Sequence, residues 1–408
     1  MISRRKMIKM ISGAPLLGGL FGGGLIGNAA AALNQSDYRN YLQELGVPVI
    51  INARGHNTIM TGSLMMPEVM AAINSTANDF VNLEVLQDKA GERIASMLRC
   101  EGAMVTSGAA SALTLGTAAC LTGTDTEKIV QLPDLPGPQK EVIVQKSHRF
   151  GYDHAVRNTG IKFVEVETRR ELERAVNENT VMMFYFNRGT DSGRIKHEEF
   201  IELAQKHGLP TLIDCAAELP PVDNLWRFTG MGFDLVAFSG GKEIRGPQSA
   251  GLLLGRKDLI EAAREQSNPK GNTIGRGMKV NKEEIVGMTI AVETYLEMDH
   301  QHVLDERMAR VKYVGDHVGS LRGVEQEIQM KEKGYTGQVN VPVLRVSWDP
   351  NTIRRSSSDI LDSMISGHPA IIIGGGNNSV SVNLRMERNG TERIVARRLH
   401  EELSKGYT

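Results

Sequence analysis

One lysine of the chain, Lys242, stands among small and flexible residues in the stretch FSGGKEIRGPQSAG (238–251). A lysine that loses water at the end of a sheet has a lowered pKa and can attack carbonyl groups. An acid, Asp214, closes the earlier apolar stretch in LIDCAAELPP (212–221). A buried carboxylate there needs either a structural cation or a place in a functional site, and the sequence leaves both open.

A third stretch, TSGAASALTLGTAAC (106–120), takes the chain from a strand into a helix of small residues. Backbone N–H groups at such a helix start can bind a phosphate, although a tight turn without a ligand fits equally well. Pyridoxal 5′-phosphate needs a lysine, an acid facing its ring nitrogen and a phosphate site. The three stretches together therefore predict this cofactor. The glycines and Ser239 around Lys242 are expected to let a phosphorylated ring lie against the backbone, and Ala216 leaves room for its face.

Short apolar segments alternate with amphipathic helical segments along most of the chain, which predicts an α/β fold with a mostly parallel, doubly wound sheet. Ligands of such a sheet bind beyond the carboxyl ends of its strands. The predicted strands are 102–108, 140–148, 162–167, 181–187, 210–217, 235–241 and 250–255, followed by strands near NVPVLRVSW, AIIIGG and SVSVNLR.

The pattern divides the chain into five parts. A large domain is expected to contain the cofactor site, and one long helix is expected to join it to a smaller α+β domain that ends in a helix. The parts are a signal peptide at 1–32, an N-terminal arm at 33–65, the large domain at 66–282, the linking helix at 283–321 and the small domain at 322–408.

The N-terminus has the pattern of an export signal. Ser3-Arg4-Arg5-Lys6 precedes a mild, glycine-rich apolar run, and the first acidic residue is Asp37. Adjacent arginines favour the twin-arginine machinery and a periplasmic or secreted protein. A membrane anchor or a basic tail is the alternative, in which case the protein stays in the cytoplasm. The apolar run holds too many glycines for a convincing transmembrane helix.

The overall composition argues against several classes of protein. The formal net charge is −1, which gives no basic surface for nucleic acid. Three scattered cysteines, Cys100, Cys120 and Cys215, predict neither a disulfide framework nor a metal site. A nicotinamide-dependent enzyme is disfavoured because no G-x-G-x-x-G follows the first strand.

The sequence resembles fold type I (aspartate-aminotransferase-like) pyridoxal phosphate enzymes. It is most similar to the selenocysteine synthase family and its shorter ammonia-lyase-like relatives. The resemblance runs from about residue 47 to the end. It rests on VIINARGHNTIMTGS (49–63), FVNLEVLQDKAGERIASMLRCEGAMVTSGAASALTL (80–115), FSGGKEIRGPQSAGLLLGRKDLI (238–260) and GRGMKVNKEEIVGMTIAVETYL (275–296).

The resemblance implies a role for each candidate residue. Lys242 would form the Schiff base with the cofactor, and Asp214 would pair with the ring nitrogen. His148 would stack on the ring opposite Ala216, unless it is merely structural. The phosphate would be held by Ser107, Gly108, Ala109 and Ser239.

The resemblance also implies a homodimer or larger homo-oligomer with the site at the subunit interface. A neighbour's loop, NPKGNTIGRG (268–277), would then supply Thr273 or Gly275, although a plain loop fits the same residues. An amino acid substrate calls for an arginine that binds its carboxylate. Arg385, expected on a small-domain strand, is the first candidate, followed by Arg276 and His56.

The expected function is that of a pyridoxal phosphate-dependent lyase or transferase acting on a small amino acid or amino sugar acid, by elimination with loss of ammonia. Selenium transfer, transamination and aldol cleavage share the first steps and stay open. A non-catalytic, exported binding protein is the alternative of a different class. Seryl-tRNA is disfavoured as substrate because the chain has an export signal where selenocysteine synthase has its tRNA-binding region.

Overall fold

The computed structural model describes residues 41–138, 140–330 and 341–407. The predicted signal peptide lies outside these residues. The chain divides into two compact units, Met1–Val49 and Ile50–Thr408. The described part of the first unit contains the short helix α1 (Tyr41–Glu44), whose side chains are exposed. All further elements belong to the second unit.

The second unit alternates strands and helices. The strands are β1 (Ile50–Asn52), β2 (Gly102–Thr106), β3 (Glu141–Gln145), β4 (Lys162–Val166), β5 (Thr180–Phe186), β6 (Thr211–Asp214), β7 (Leu235–Ser239), β8 (Gly251–Gly255), β9 (Val324–Gln329), β10 (Val343–Trp348), β11 (Ala370–Ile372), β12 (Gly374–Gly376) and β13 (Ser379–Val382). The helices are α2 (Pro67–Thr76), α3 (Leu83–Leu98), α4 (Gly108–Thr122), α5 (Thr126–Ile129), α6 (His154–Arg157), α7 (Arg169–Ala175), α8 (His197–His207), α9 (Asn224–Met231), α10 (Lys257–Glu265), α11 (Lys282–Glu297), α12 (His300–Val318), α13 (Ser357–Ser366) and α14 (Thr391–Ser404).

Seven strands form the large sheet, in the order β2-β8-β7-β6-β5-β3-β4. Strand β8 runs antiparallel to both neighbours, and the pairs from β7 to β4 are parallel. This confirms the predicted mostly parallel sheet. Successive residues of each buried strand face two different apolar clusters, as Phe184 and Tyr185 do on β5. The sheet is therefore covered on both faces, as expected for parallel strands.

A second, antiparallel sheet follows the order β12-β13-β10-β9. A third apolar cluster lies between this sheet and helices α12, α13 and α14. Strand β1 pairs in parallel with β11, and Arg54 forms a bridge with Asn383. The chain just after β1 is thereby held next to the segment that follows β13, which brings His56 close to Arg385.

The C-terminal part differs from the predictions in three ways. The predicted long helix is two helices, α11 and α12, because Asp299 caps a new helix by accepting the N–H of His302 at 2.9 Å. Strand β9 was not predicted, since its sequence VEQEIQ is mostly polar and exposed. Arg385 was expected on a strand and lies instead in the turn after β13.

Among the residues the structure describes, no helix has both the length and the apolar character needed to cross a membrane. The three cysteines are free thiols; Cys215 is buried, and the other two are half-buried.

Candidate active site

A cavity of about 730 Å³ opens beyond the carboxyl ends of β2, β5, β6 and β7. This is the edge at which a doubly wound sheet binds its ligands. Most of the predicted site residues meet there. The lining includes His56, Ser107, Gly108, Ala109, Phe150, Tyr152, Phe186, Arg188, Asp214, Ala216, Glu218, Ser239 and Lys242.

Lys242 lies in the turn after β7 and is half-buried. Burial lowers the pKa of its amine, and the opposing attraction of Asp214 does not cancel that effect. The flanking glycines serve the packing of the chain. A Cβ on Gly241 would lie 2.5 Å from the backbone of Gln248, and one on Gly240 would lie 2.4 Å from Met288 Sδ. These contacts are a steric requirement of the turn itself. Gly241 also lines the cavity, so the expectation that the glycines leave room for a ring stays a prediction.

Asp214 is the last residue of β6 and is only 4% exposed. Its Oδ1 accepts the N–H of Ala216 at 2.9 Å. Burial raises the pKa of the carboxyl, while Lys242 and Arg188 act in the opposite direction. A buried carboxyl of this kind, facing a cavity, suits a cationic ring nitrogen as its partner.

Helix α4 begins at the cavity wall with Ser107 as N-cap, and no side chain caps its first N–H groups. Gly108 has φ 75°, a backbone conformation that favours glycine. The first turn can therefore bind an anion. Ser239 lines the same cavity. The uncapped helix start, Asp214 and Lys242 together fit pyridoxal phosphate.

His148 does not face the cavity, contrary to the prediction that it stacks on the ring. It is fully buried, and its Nδ1 accepts the N–H of Phe186 at 3.3 Å. Two aromatic residues missed by the prediction, Phe150 and Phe186, line the cavity and stack on each other with ring centroids 3.7 Å apart. Phe150 follows His148 by two residues. The prediction therefore found the right segment after β3 but chose the wrong side chain.

Arg385 does not line the cavity either. Its side chain is 6% exposed and lies 4.0 Å from Glu243. It donates from Nη2 to Nε2 of His56, which does line the cavity. Burial lowers the pKa of Arg385 to about 10. Burial and the charge of Arg385 lower the pKa of His56 to about 2, so this histidine is neutral.

Arg188 was missed by the sequence analysis, although it directly follows the predicted strand 181–187. It is exposed, lines the cavity and lies in the turn Asn187–Gly189 after β5. Its charge lowers the pKa of both Lys242 and Asp214. An arginine immediately after an apolar strand was a usable signal.

The loop 268–277 does not line the cavity of its own chain. Arg276 donates to Asn268 Oδ1 at 2.9 Å, and the N–H of Gly275 donates to Gln266 O at 3.0 Å. Thr273 has a buried hydroxyl without a partner in the described chain. The contribution of this loop to a neighbouring subunit stays a prediction.

Comparison with known proteins places these features in a family. The model of the SelA family, L-seryl-tRNA selenium transferase, matches residues 50–347. D-glucosaminate-6-phosphate ammonia lyase of Salmonella typhimurium is 32% identical over 72% of this chain and 79% of its own. A 5'-C-glycyluridine monooxygenase-decarboxylase of a Streptomyces species is 29% identical over 88% and 91%.

The solved structures agree with this grouping. A D-glucosaminate-6-phosphate ammonia-lyase structure superposes with a TM-score of 0.77 and 27% identity, covering 90% of this chain and 99% of that one. A serine palmitoyltransferase, 13% identical with a TM-score of 0.53, shares the fold over 87% of this chain and 88% of its own. The chain is therefore an enzyme of the SelA family, with the fold of the type I pyridoxal phosphate enzymes and the cofactor of that family.

Proposed function

We propose that the protein eliminates ammonia from a small amino acid or amino sugar acid. The observation that carries the proposal is one cavity that holds Lys242, Asp214 and the uncapped start of α4. The relative that shares 32% identity acts, by its name, on D-glucosaminate 6-phosphate as an ammonia lyase. That substrate is an amino sugar acid with two anionic groups.

Each part of the cofactor has a matching group in the cavity. The N–H groups from Ser107 to Ala109 and the hydroxyl of Ser239 would hold its phosphate. Asp214 would hold a proton on the ring nitrogen. Ala216 is small enough to lie under the ring, and Phe150 can contact it from another side. When bound, pyridoxal phosphate supplies a sink for the electrons released at the substrate's α-carbon.

Lys242 is proposed to move the protons. Because burial lowers its pKa, a larger fraction of its amine is unprotonated near neutral pH than for an exposed lysine. The free amine can bind the cofactor carbonyl. With substrate bound, Nζ would be free to take the proton from the α-carbon and to give it to the leaving group. Departure of the β-substituent would leave an enamine, and water would hydrolyse its imine tautomer to a keto acid and ammonia.

Selenium transfer to seryl-tRNA is less well supported. The chain spans 62% of the length of the Aquifex aeolicus selenium transferase, which is 25% identical to it. A net charge of −1 over the full sequence gives no general attraction to a tRNA backbone. Transamination and aldol cleavage can use the same lysine. Transamination breaks the same α-C–H bond and differs in where the proton goes, whereas aldol cleavage breaks the bond between the α- and β-carbons.

A second candidate is an oxidative decarboxylation. The Streptomyces relative named a monooxygenase-decarboxylase matches 88% of this chain, more than the ammonia lyase does. Consumption of oxygen and release of carbon dioxide would identify this reaction.

We also propose that the enzyme is exported through the twin-arginine machinery and works as a homodimer. The pair Arg4-Arg5 and the weakly apolar run after it support export. Cell fractionation of the wild type beside Arg4→Lys/Arg5→Lys checks it; equal amounts of both proteins in the periplasm would contradict export by this route.

The first test is an absorption spectrum of the purified protein with added pyridoxal phosphate, beside Lys242→Ala. We expect a visible band in the wild type that is absent from the variant. Ammonia and oxygen are then measured with D-glucosaminate 6-phosphate and a panel of D- and L-amino acids. Ammonia release without oxygen uptake supports the lyase. Oxygen uptake supports the second candidate, and a folded wild type without the band contradicts a covalent link at Lys242.

A further inference from the structure

An amino acid substrate brings a carboxylate into the cavity, and the arginine predicted to bind it is in the wrong place. Arg385 is absent from the cavity lining, and its guanidinium donates to His56, which does line the cavity. A carboxylate clamp needs N–H groups that the ligand can reach. The carboxylate site must therefore be sought among the groups that face the cavity.

The surroundings of Arg385 assign it a different task. Glu243 lies 4.0 Å from it and accepts a hydrogen bond from Arg307 at 2.6 Å. An arginine has no acceptor atom, so its bond to His56 requires a lone pair on Nε2 and a proton on Nδ1 of that histidine. Arg385 thereby fixes His56 as a neutral ring of one tautomer at the cavity wall.

Arg188 has the access that Arg385 lacks. Its neighbours in the turn are buried: Asn187 Oδ1 lies 2.7 Å from His197 Nε2, and the hydroxyl of Thr190 donates to Asn187 O at 2.5 Å. These bonds fix the backbone of the turn, whereas the Arg188 side chain is exposed in the cavity. In the described part of the chain, the Arg188 side chain forms no hydrogen bond or ion pair. A fixed base with an unpaired guanidinium suits capture of a ligand anion.

The other cation that lines the cavity already has a role in the proposed function, and Arg188 does not. The described lining has two cations, Lys242 and Arg188, and two carboxylates, Asp214 and Glu218. In the proposed function Lys242 binds the cofactor carbonyl and Asp214 faces the ring nitrogen. Arg188 is then the cation left for the substrate.

We propose that Arg188 binds the substrate carboxylate through a pair of N–H groups, and that Arg385 acts indirectly by positioning His56. This inference rests on the proposed function, since it assumes that an amino acid joined to the cofactor occupies the cavity. It restricts the substrates to amines that have a carboxylate close to the amino group.

Two stable compounds test the proposal without knowledge of the natural substrate. N-(5′-phosphopyridoxyl)glycine carries a carboxylate, and N-(5′-phosphopyridoxyl)methylamine is the same molecule without it. Calorimetry on the full-length chain, freed of cofactor, gives the Kd of each compound for wild type, Arg188→Ala, Arg188→Lys and Arg385→Lys. Arg194→Ala, an exposed arginine near the same turn that does not line the cavity, is the matched control.

We expect the wild type and Arg194→Ala to bind the glycine compound roughly 10- to 100-fold more tightly than the methylamine compound, the range for a charged hydrogen-bonded pair. Arg188→Ala should abolish this preference and leave the Kd for the methylamine compound unchanged. Arg188→Lys should restore part of it. In Arg385→Lys the preference should persist.

The opposing results are distinct. A preference that survives in Arg188→Ala, or that is absent from the wild type, overturns the assignment of Arg188. Loss of the preference in Arg385→Lys alone returns the clamp to Arg385. Failure of both compounds to bind the wild type contradicts the cofactor assignment itself, and with it the proposed function.

Discussion

His148 illustrates how a single buried titratable residue can look like a site residue in sequence. It follows β3, where a ring-stacking histidine was predicted, yet its ring is fully buried against Tyr185, with centroids 4.3 Å apart. Burial lowers its pKa to about 4, and the nearby cation Lys196 adds to the effect. Its Nδ1 accepts a hydrogen bond from the N–H of Phe186, so protonation of Nδ1 would break this bond. Its role in the structure is to join the ends of β3 and β5.

This pKa makes the protein less stable in acid. The unfolded chain binds a proton at His148 near pH 6.5, and the folded chain only near pH 4. Protonation of this residue therefore has no effect on the unfolding free energy above pH 6.5 and lowers it as the pH falls toward 4. We expect His148 to lower the unfolding free energy by about 2 kcal/mol between pH 7 and pH 5. Urea unfolding at both pH values should show at least that loss in the wild type and in His302→Gln, a change at an exposed histidine. His197 and His56, whose pKa values burial lowers to about 4 and about 2, add losses of their own in both proteins.

The variant His148→Gln cannot titrate. Its unfolding free energy should therefore fall by about 2 kcal/mol less than that of the wild type over the same pH interval. The comparison holds even if the variant is less stable at pH 7, because only the change with pH is compared. An equal pH dependence of wild type and variant would show that His148 is not the group responsible.

At the scale of single residues, the sequence correctly predicted the cavity residues that lie at the end of a strand or directly after it. Asp214 closes β6, Ser107 follows β2, and Lys242 follows β7 within a turn held by its own glycines. The errors concern side chains whose direction depends on tertiary contacts. His148 turns away from the cavity toward Tyr185, and Arg385 turns toward Glu243. Strand ends can be read from a sequence, but the direction of a loop side chain cannot.

At the scale of elements, the start of α4 decides where an anion can bind. Gly108 has φ 75°, and a Cβ there would meet nothing closer than Ser249 O at 3.6 Å. The change Gly108→Ala therefore creates no clash and costs only backbone strain, about 1–2 kcal/mol. Relaxation of that strain would turn the first N–H groups away from the cavity.

We expect Gly108→Ala to weaken binding of pyridoxal phosphate by roughly 10-fold or more, the equivalent of that strain. Absorbance titration measures it. The matched control is Gly123→Ala at the other end of the same helix, where φ is 54° and no atom lies within 4 Å. It should lose comparable stability but bind the cofactor like the wild type. Equal weakening in both variants would mean that helix stability, and not the geometry of the helix start, governs binding.

The elements themselves were predicted well where burial dictates the sequence. All seven strands of the large sheet were expected. Those covered on both faces are continuous apolar runs, such as VMMFYF in β5. Strand β9 was missed because an exposed strand has no such run. The break between α11 and α12 was missed since a single cap, Asp299, outweighs a helical pattern that continues on both sides.

At the scale of the whole molecule, the candidate site connects the large sheet of the second unit to its four-stranded antiparallel sheet. Glu243 follows the lysine directly in sequence and pairs with Arg307 of α12, and both side chains are at least nine-tenths buried. Arg385, in the turn after β13 of the second sheet, adds a further contact at 4.0 Å. Removal of one partner of a buried pair is strongly destabilising. The contacts of Glu243, the residue after Lys242, thus hold the antiparallel sheet in position next to the site.

A cavity completed by a second copy of the chain is the remaining expectation at this scale. Thr273 lines no part of its own chain's cavity, and its buried hydroxyl has no partner in the described residues. If it contacts the cofactor phosphate of a neighbour, Thr273→Asp inactivates that neighbour by placing a carboxylate beside the phosphate. Lys242→Ala inactivates its own chain. A mixture of the two variants distinguishes these relations.

In a hybrid dimer, the subunit with Thr273→Asp retains its lysine and receives an intact Thr273 from the Lys242→Ala subunit. The other site in that dimer has both defects. Random exchange of equal amounts makes about half of the dimers hybrids, so about a quarter of all sites should be active. The measurement is ammonia release, or growth of the visible band, after mixing under conditions that allow subunits to exchange, with thermal unfolding to confirm that each variant is folded. A mixture as inactive as its components, with exchange shown by native mass spectrometry, would mean that Thr273 serves its own chain. Full activity of Thr273→Asp alone would mean that Thr273 serves no site.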